Sequence, residues 1–263
     1  MTSTSASDPG TGDAAGMTRD AFLGGRLTLI QPARGYRAGV DPVLLAAAIP
    51  ARAGQSVLDL GCGVGAALFC LATRVPGLTL TGVELQPDYA ALARDNAALN
   101  GFDARIEAVD LRALPRDLRD RAFDHVIANP PYFDRRQGTA SAVAGRETAC
   151  GGDTPLSDWI ETATRRLAPR GYLTLVQKAD RLPELLGAMD HRLGSITVWP
   201  VAGRAGRPAD RVLICARKEG RAPFRLLAPL VLHAGPTHDS DAEDHTEQVH
   251  EVLRNGAALP MIG

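Results

Sequence analysis

Lysine is nearly absent: of 29 cationic residues only Lys178 and Lys218 are not arginine. Together with abundant Ala and Gly, that bias points to a GC-rich genome, so an arginine cluster here is weaker evidence for a binding surface than it would be elsewhere. Aromatic residues make up 5% of the chain, and no apolar run approaches the about 18 residues that a membrane span requires. Leu44–Ile49 is among the longer stretches, so a soluble, cytoplasmic protein is expected. There is no excess of either charge: 29 Lys+Arg stand against 30 Asp+Glu, a formal net charge of −1. A protein that coats itself in nucleic acid is basic overall, so any such partner must be met by a local patch. The four cysteines (Cys62, Cys70, Cys150, Cys215) form no C-x-x-C pair and show no metal-like spacing, which predicts reduced thiols and no metal. The N-terminus has no apolar h-region, and Asp8, Asp13 and Asp20 argue against a transit peptide. Residues 1–21 read as a disordered leader.

What is present is a repeating strand–helix order from about Ser56. Ser56–Leu60, Leu78–Glu84, Arg105–Val109, Phe123–Ala128 and Gly171–Gln177 read as strands, with helices at about Gly65–Arg74, Pro87–Asn100, Leu156–Leu167 and Leu182–Met189. Such alternation predicts an α/β fold with a mostly parallel sheet and helices on both faces. Ser195–Val201 and Arg211–Arg217 then follow one another without a helix, which predicts an antiparallel terminal hairpin. Arg225–His233 adds an extended segment. Near the start, Gly24–Gln31 reads as a strand or hairpin, and Asp41-Pro42 as the N-cap and first residue of a helix to Ile49. Residues 234–263 read as an acidic linker and a short helix, leaving 22–233 as the main domain.

The first of these strands runs into Asp59-Leu60-Gly61-Cys62-Gly63-Val64-Gly65. Alternate glycines between a strand and a helix let the backbone approach a ligand closely. Glu84 closes the next strand, where a carboxylate accepts both hydroxyls of a ribose. Gly61, Gly63 and Ala66 also satisfy a relaxed dinucleotide fingerprint, so NAD competes with S-adenosylmethionine for this pocket. A purely structural tight turn is the third reading. Asp59 inside the strand, glycine at every second position and Asp110 at the end of the third strand favour S-adenosylmethionine. Asp110 could meet the adenine amino group, or be only a turn residue.

The fourth strand ends in Asn129-Pro130-Pro131-Tyr132. Two prolines stiffen the turn and present carbonyl oxygens. The Asn129 side-chain oxygen and the Pro130 carbonyl can accept both protons of one planar amino group, leaving its nitrogen lone pair free. Tyr132 offers a π face on which a heterocyclic base can stack. The plain alternative is a stiff loop.

DLGCGVG, VELQ, the acid at Asp110 and NPPY together resemble a class I S-adenosylmethionine-dependent methyltransferase of the amino-group-modifying kind, over about Phe22–Lys218. The segment from Gln31 to Leu45 further resembles the N-terminal element of bacterial valine-tRNA adenine N6-methyltransferases, as do Pro208–Leu213 and Leu230–His233. The resemblance implies methylation of adenine N6 in a tRNA. It also implies cofactor contacts at Gly61, Gly63, Glu84 and Asp110, with Gly65 and Asp59 beside them, and a catalytic contact at Asn129. Gly39 and Asp41 match an element that closes over the methionine end, although a turn and a helix cap account for them equally well. Between Tyr132 and Leu156, a long polar stretch with Arg135, Arg136 and Arg146 is expected to clamp the target base, with a disordered segment as the alternative. Arg207 and Arg211, within an arginine-rich stretch from Ala202 to Ala228, are expected to contact RNA phosphates. A monomer is expected. Two rival readings are an N5-glutamine methyltransferase acting on a peptide chain release factor, and another rRNA or DNA amino-methyltransferase. A non-catalytic RNA-binding or cofactor-binding module would be favoured by a broken NPPY, and the motif is intact.

Overall fold

Strands buried on both faces read as near-continuous apolar runs; β3 (Ser56–Leu60), β4 (Thr79–Glu84) and β6 (Phe123–Ala128) are buried along most of their length, with Asp59, Thr81, Glu84 and His125 as the buried polar exceptions. A computed structural model describes residues 16–132, 154–235 and 244–261. In it these strands are joined by β5 (Ala104–Ala108) and β7 (Leu167–Lys178) in the parallel order β7-β6-β3-β4-β5. β9 (Arg211–Lys218) pairs antiparallel with both β7 and β8 (Leu193–Arg204). The segment expected at Arg225–His233 is split into β10 (Arg225–Leu226) and β11 (Leu230–His233), both parallel to β8, giving a sheet of nine strands. Strand order reverses beside β3, so the loops after β3 and β6 flank one crevice.

Two apolar clusters fill the two faces of the sheet. One holds α1 (Val40–Ala48), α2 (Ala66–Arg74) and α3 (Pro87–Leu99). The other includes Leu118 of α4 (Arg116–Arg119), Trp159 and Ile160 of α5 (Leu156–Arg166), and Leu185 of α6 (Leu182–Ala188). α1 and α2 are stapled by Arg74, whose guanidinium donates to Ala46 O and Ile49 O at the C-terminal end of α1, where free carbonyls accumulate.

Four expectations are corrected. Met17–Phe22 forms a strand, β1, paired antiparallel with β2 (Leu27–Pro32), so residues 17–21 are not part of a disordered leader and the hairpin begins earlier than Gly24, while the rest of that leader lies outside the described residues. Asn96 and Asn100 of α3 hold β2 by giving amide pairs to Ile30 and Thr28. Helix α1 begins at Val40 with Gly39 as its N-cap, and Asp41 lies inside the first turn rather than capping it. The terminal helix α7 (Glu247–Asn255) is no appendage: Val249, Val252, Leu259 and Met261 are buried in the first cluster, and Leu259 N donates to Ala47 O. The arginine-rich stretch is not one patch. Register puts Arg211 opposite Lys178 and Lys218 opposite Leu193, at opposite ends of β9 and about 23 Å apart at 3.3 Å per residue.

Candidate active site

After β3 the chain turns through Gly61, Gly63 and Gly65, all with left-handed φ (66°, 55° and 88°). At two of them even the space demands glycine. A Cβ on Gly61 would lie 2.5 Å from the Trp159 ring, and one on Gly65 2.1 Å from Phe69. The turn is tied to the next strand, since Cys62 N donates to Val83 O and Gly63 N to Glu84 Oε2 at 2.9 Å. Gln86 N donates to the other oxygen, Oε1, also at 2.9 Å. Both Glu84 oxygens are thus oriented by backbone amides while the carboxylate lines a cavity of about 540 Å³. Burial raises the Glu84 pKa against the pull of those amides.

Asp59, 2% exposed, reaches the same cavity, and its Oδ2 has no hydrogen-bond partner. Burial, and then the charge of Glu84, pushes its pKa well above the usual carboxylate value. Asp110 lines the cavity and also caps a short 3₁₀ turn. Its Oδ1 accepts from Arg112 N at 2.8 Å, and its Oδ2 from the Arg112 guanidinium at 2.6 Å, which lowers its pKa.

Across the crevice, β6 delivers Asn129–Tyr132. Asn129 Nδ2 donates to Tyr36 Oη at 3.3 Å, which leaves Oδ1 as the amide's free acceptor. The carbonyls of Pro130 and Pro131 accept from Nε2 of the fully buried Gln177 at 3.2 and 3.5 Å. The Tyr132 hydroxyl donates to Asp41 Oδ2, and burial together with Asp41 raises its pKa far above that of an ordinary phenol. Arg211 Nε lies 2.9 and 3.0 Å from the two Asp41 oxygens. The cavity also takes in Gly39 and Arg211.

The segment before α1 forms part of the wall because the hairpin holds it. Buried Gln31 donates to Asp20 and accepts from Ala38 N at 2.8 Å, and Arg37 pairs with Asp20 at 2.7 Å.

Asp59, Gly61, Gly63, Glu84, Asp110, Asn129, Pro130, Tyr132, Gly39, Asp41 and Arg211 therefore line one cavity, with Gly65 capping the adjoining helix α2. Arg207 stands apart, exposed in the β8–β9 turn. Arg211, expected on RNA phosphates, is engaged with Asp41 and Asp210. Arg135, Arg136 and Arg146 lie outside the described residues. Sequence reasoning missed Tyr36, Trp159, Gln177 and Tyr89, the last lining the cavity and donating to Tyr36 O at 3.3 Å. Tyr36 lay within the quoted Gln31–Leu45 segment, whereas Trp159 and Gln177 sit far from any motif and carry no local signal. Among the described residues no group of three or more His, Cys, Asp or Glu is placed to hold a metal, and no helix is long and apolar enough to cross a membrane.

Solved structures share this fold. A protein from Agrobacterium tumefaciens described as a predicted O-methyltransferase superposes with a TM-score of 0.65 at 27% identity, covering 84% of this chain and 98% of that one. The Thermus thermophilus 16S rRNA N2 G1207 methyltransferase, solved with AdoMet and guanosine, shares the fold at TM-score 0.54 and 21% identity, covering 77% of this chain and 50% of that one. A glycine turn and an acidic strand end facing NPPY across the switch point of this sheet define a class I S-adenosylmethionine-dependent methyltransferase. Residues 38–199 match the methyltransferase small domain model, and the chain belongs to that family. Its curated relatives include two proteins named tRNA1(Val) (adenine(37)-N6)-methyltransferase. The Porphyromonas gingivalis protein is 33% identical over 75% of this chain and 80% of its own length. The Aeromonas hydrophila protein is 31% identical over 68% and 75%.

Proposed function

We propose that this protein methylates the N6 amino group of an adenine in a tRNA, at position 37 of a valine tRNA as the names of its relatives say of them. The observation that carries the reading is the Asn129–Tyr132 corner, set across one cavity from the glycine turn and Glu84. A tRNA substrate places the work in the cytoplasm.

The cavity suits S-adenosylmethionine on chemical grounds. Its charged wall is rich in acceptors: the unpartnered Asp59 Oδ2, both Glu84 oxygens and Asp110. Such a wall matches a ligand that presents two ribose hydroxyls, an adenine amine and positive charge. Glu84 would take the hydroxyls, Asp110 the adenine edge and Asp59 the cationic portion, with Gly61–Gly65 giving close approach of backbone. When bound, the cofactor supplies an electrophilic methyl on a sulfonium sulfur.

The chain's own contribution is placement. Asn129 Oδ1 and the Pro130 carbonyl, the latter steadied by Gln177, accept the two protons of the target amine. An exocyclic amine conjugated to a purine is a poor nucleophile, and holding both protons aims its lone pair out of the ring's conjugation. No residue has to remove a proton first, because the nitrogen becomes acidic only as it is alkylated. Tyr132 supplies the face on which the base rests. A target in an anticodon loop is already unpaired, so leaving its stack costs less than in a duplex.

Purified protein incubated with methyl-labelled S-adenosylmethionine and unmodified total tRNA, followed by nuclease digestion, tests this directly. Label in N6-methyladenosine is expected. Unlabelled RNA with label in an added release factor would refute the reading in favour of glutamine methylation.

A further inference from the structure

Three parts of the chain remote in sequence meet at one side of the cavity. Tyr132 ends the proline corner, Asp41 lies in the first turn of α1, and Arg211 opens β9; the first pair is 91 residues apart and the second 170. The Tyr132 hydroxyl donates to Asp41 Oδ2, and Arg211 Nε faces both Asp41 oxygens at 2.9 and 3.0 Å. The Asp41 side chain is only 15% exposed and that of Arg211 31%. With the Tyr132 hydroxyl and the Arg211 Nε–H both donating to it, the Asp41 carboxylate fixes where the phenol proton points.

We propose that Arg211 is a positioning residue that acts through Asp41 to set the plane of the Tyr132 ring, rather than a contact to RNA phosphate. The proposal rests on reading the corner as the seat of the target base. It follows that Arg211 never touches the reacting atoms. Its loss tilts the platform beneath the amine instead of weakening the hold on the nucleic acid. A displacement of about 1 Å at a reacting centre costs about 10²-fold in rate. Arg211 meets Asp41 through Nε while its Nη1 donates to Asp210 at 3.2 Å, so the donor has a fixed direction that a lysine ammonium replaces with a point charge.

The test is a double-substitution cycle of Arg211→Met and Tyr132→Phe, with Arg211→Lys as the conservative variant. Methyl transfer to tRNA gives kcat and KM, and equilibrium binding of tRNA without cofactor is measured across a salt series. Each single change is expected to lower kcat by about 10- to 100-fold with KM moved less than about threefold. The double variant should be no slower than the slower single one, since both changes cut the same chain of contacts. Arg211→Lys should recover part of the loss. The dependence of RNA affinity on salt should match wild type in all variants. Cofactor affinity and circular dichroism check folding, and if Arg211→Met fails to fold, the same cycle is read with Arg211→Lys and Tyr132→Phe.

A phosphate contact gives a different pattern. The two losses would multiply, and log affinity against log salt would flatten by about 0.7–0.9 for the one contact removed; either result overturns the proposal. Wild-type protein that leaves tRNA unlabelled overturns the functional reading and the proposal with it. An active wild type with multiplicative losses overturns the proposal alone.

Discussion

Asn129 acts as an acceptor through Oδ1 when its Nδ2 donates to the Tyr36 hydroxyl. The hydroxyl takes one Nδ2 proton at 3.3 Å, so the oxygen remains for a ligand. Asn129→Ala is expected to cut turnover about 10²–10³-fold, as the loss of one aimed polar group does elsewhere. Tyr36→Phe leaves the amide in place but frees it to rotate, so about a 5- to 10-fold loss in kcat is expected, the worth of one hydrogen bond. Both are read from initial rates of methyl transfer, with cofactor affinity as the control. Residue-scale electrostatics also give a stability prediction away from the cavity. His125, 1% exposed on β6, bonds Gln55 through Nε2, while Nδ1 has no partner. Burial lowers its pKa from 6.5 to about 4. Between those values the unfolded chain holds a proton that the folded chain does not, so stability is full above pH 6.5 and falls on acidification until about pH 4. Urea unfolding at pH 7 and pH 5 should differ by about 2 kcal/mol through this group alone, and His125→Gln should shrink the difference by that amount.

Elements were legible where burial leaves a regular signature. β3 and β6 are short, largely apolar segments followed by glycine or proline, and Pro87 and Asn100 bracket α3 in the sequence as they do in the fold. The glycine turn and the proline corner were legible because their chemistry is local. β1 was not: its residues alternate between exposed and half-buried, and what orders it is distant, with Asp20 reaching Gln31 and Arg37. The Asp41–Arg211 pairing was equally hidden, since no local pattern links residues 170 apart. α7 was legible as a short helix, but its burial against α1 was not, because its acids mask the spacing of Val249 and Val252. Because this element closes the first cluster, Leu259→Ala just beyond it should cost about 2–5 kcal/mol, seen as a lower urea midpoint. A terminal appendage would show no change.

The whole molecule sorts its charge in a way that a sum of −1 conceals. The turn between β8 and β9, carrying exposed Arg207, lies at the cavity end of the sheet, because Val201 pairs with Arg211 and Arg211 lines the cavity. Arg221 follows the opposite end of β9. Arg207→Ala should therefore weaken tRNA binding and flatten its salt dependence by about 0.7–0.9, whereas Arg221→Ala should leave both as they are. Filter binding across a salt series separates the two. The contact between Leu259 and Ala47 also has a consequence for biosynthesis. The ribosome makes α1 about two hundred residues before the segment that covers it, a delay of about 10–40 s at bacterial elongation rates. Late in that interval the cofactor turn and the proline corner are already outside the exit tunnel while the helix bearing Asp41 still lacks part of its packing. Translation itself thus withholds the finished methyl-transfer site until the segment through Leu259 has been made.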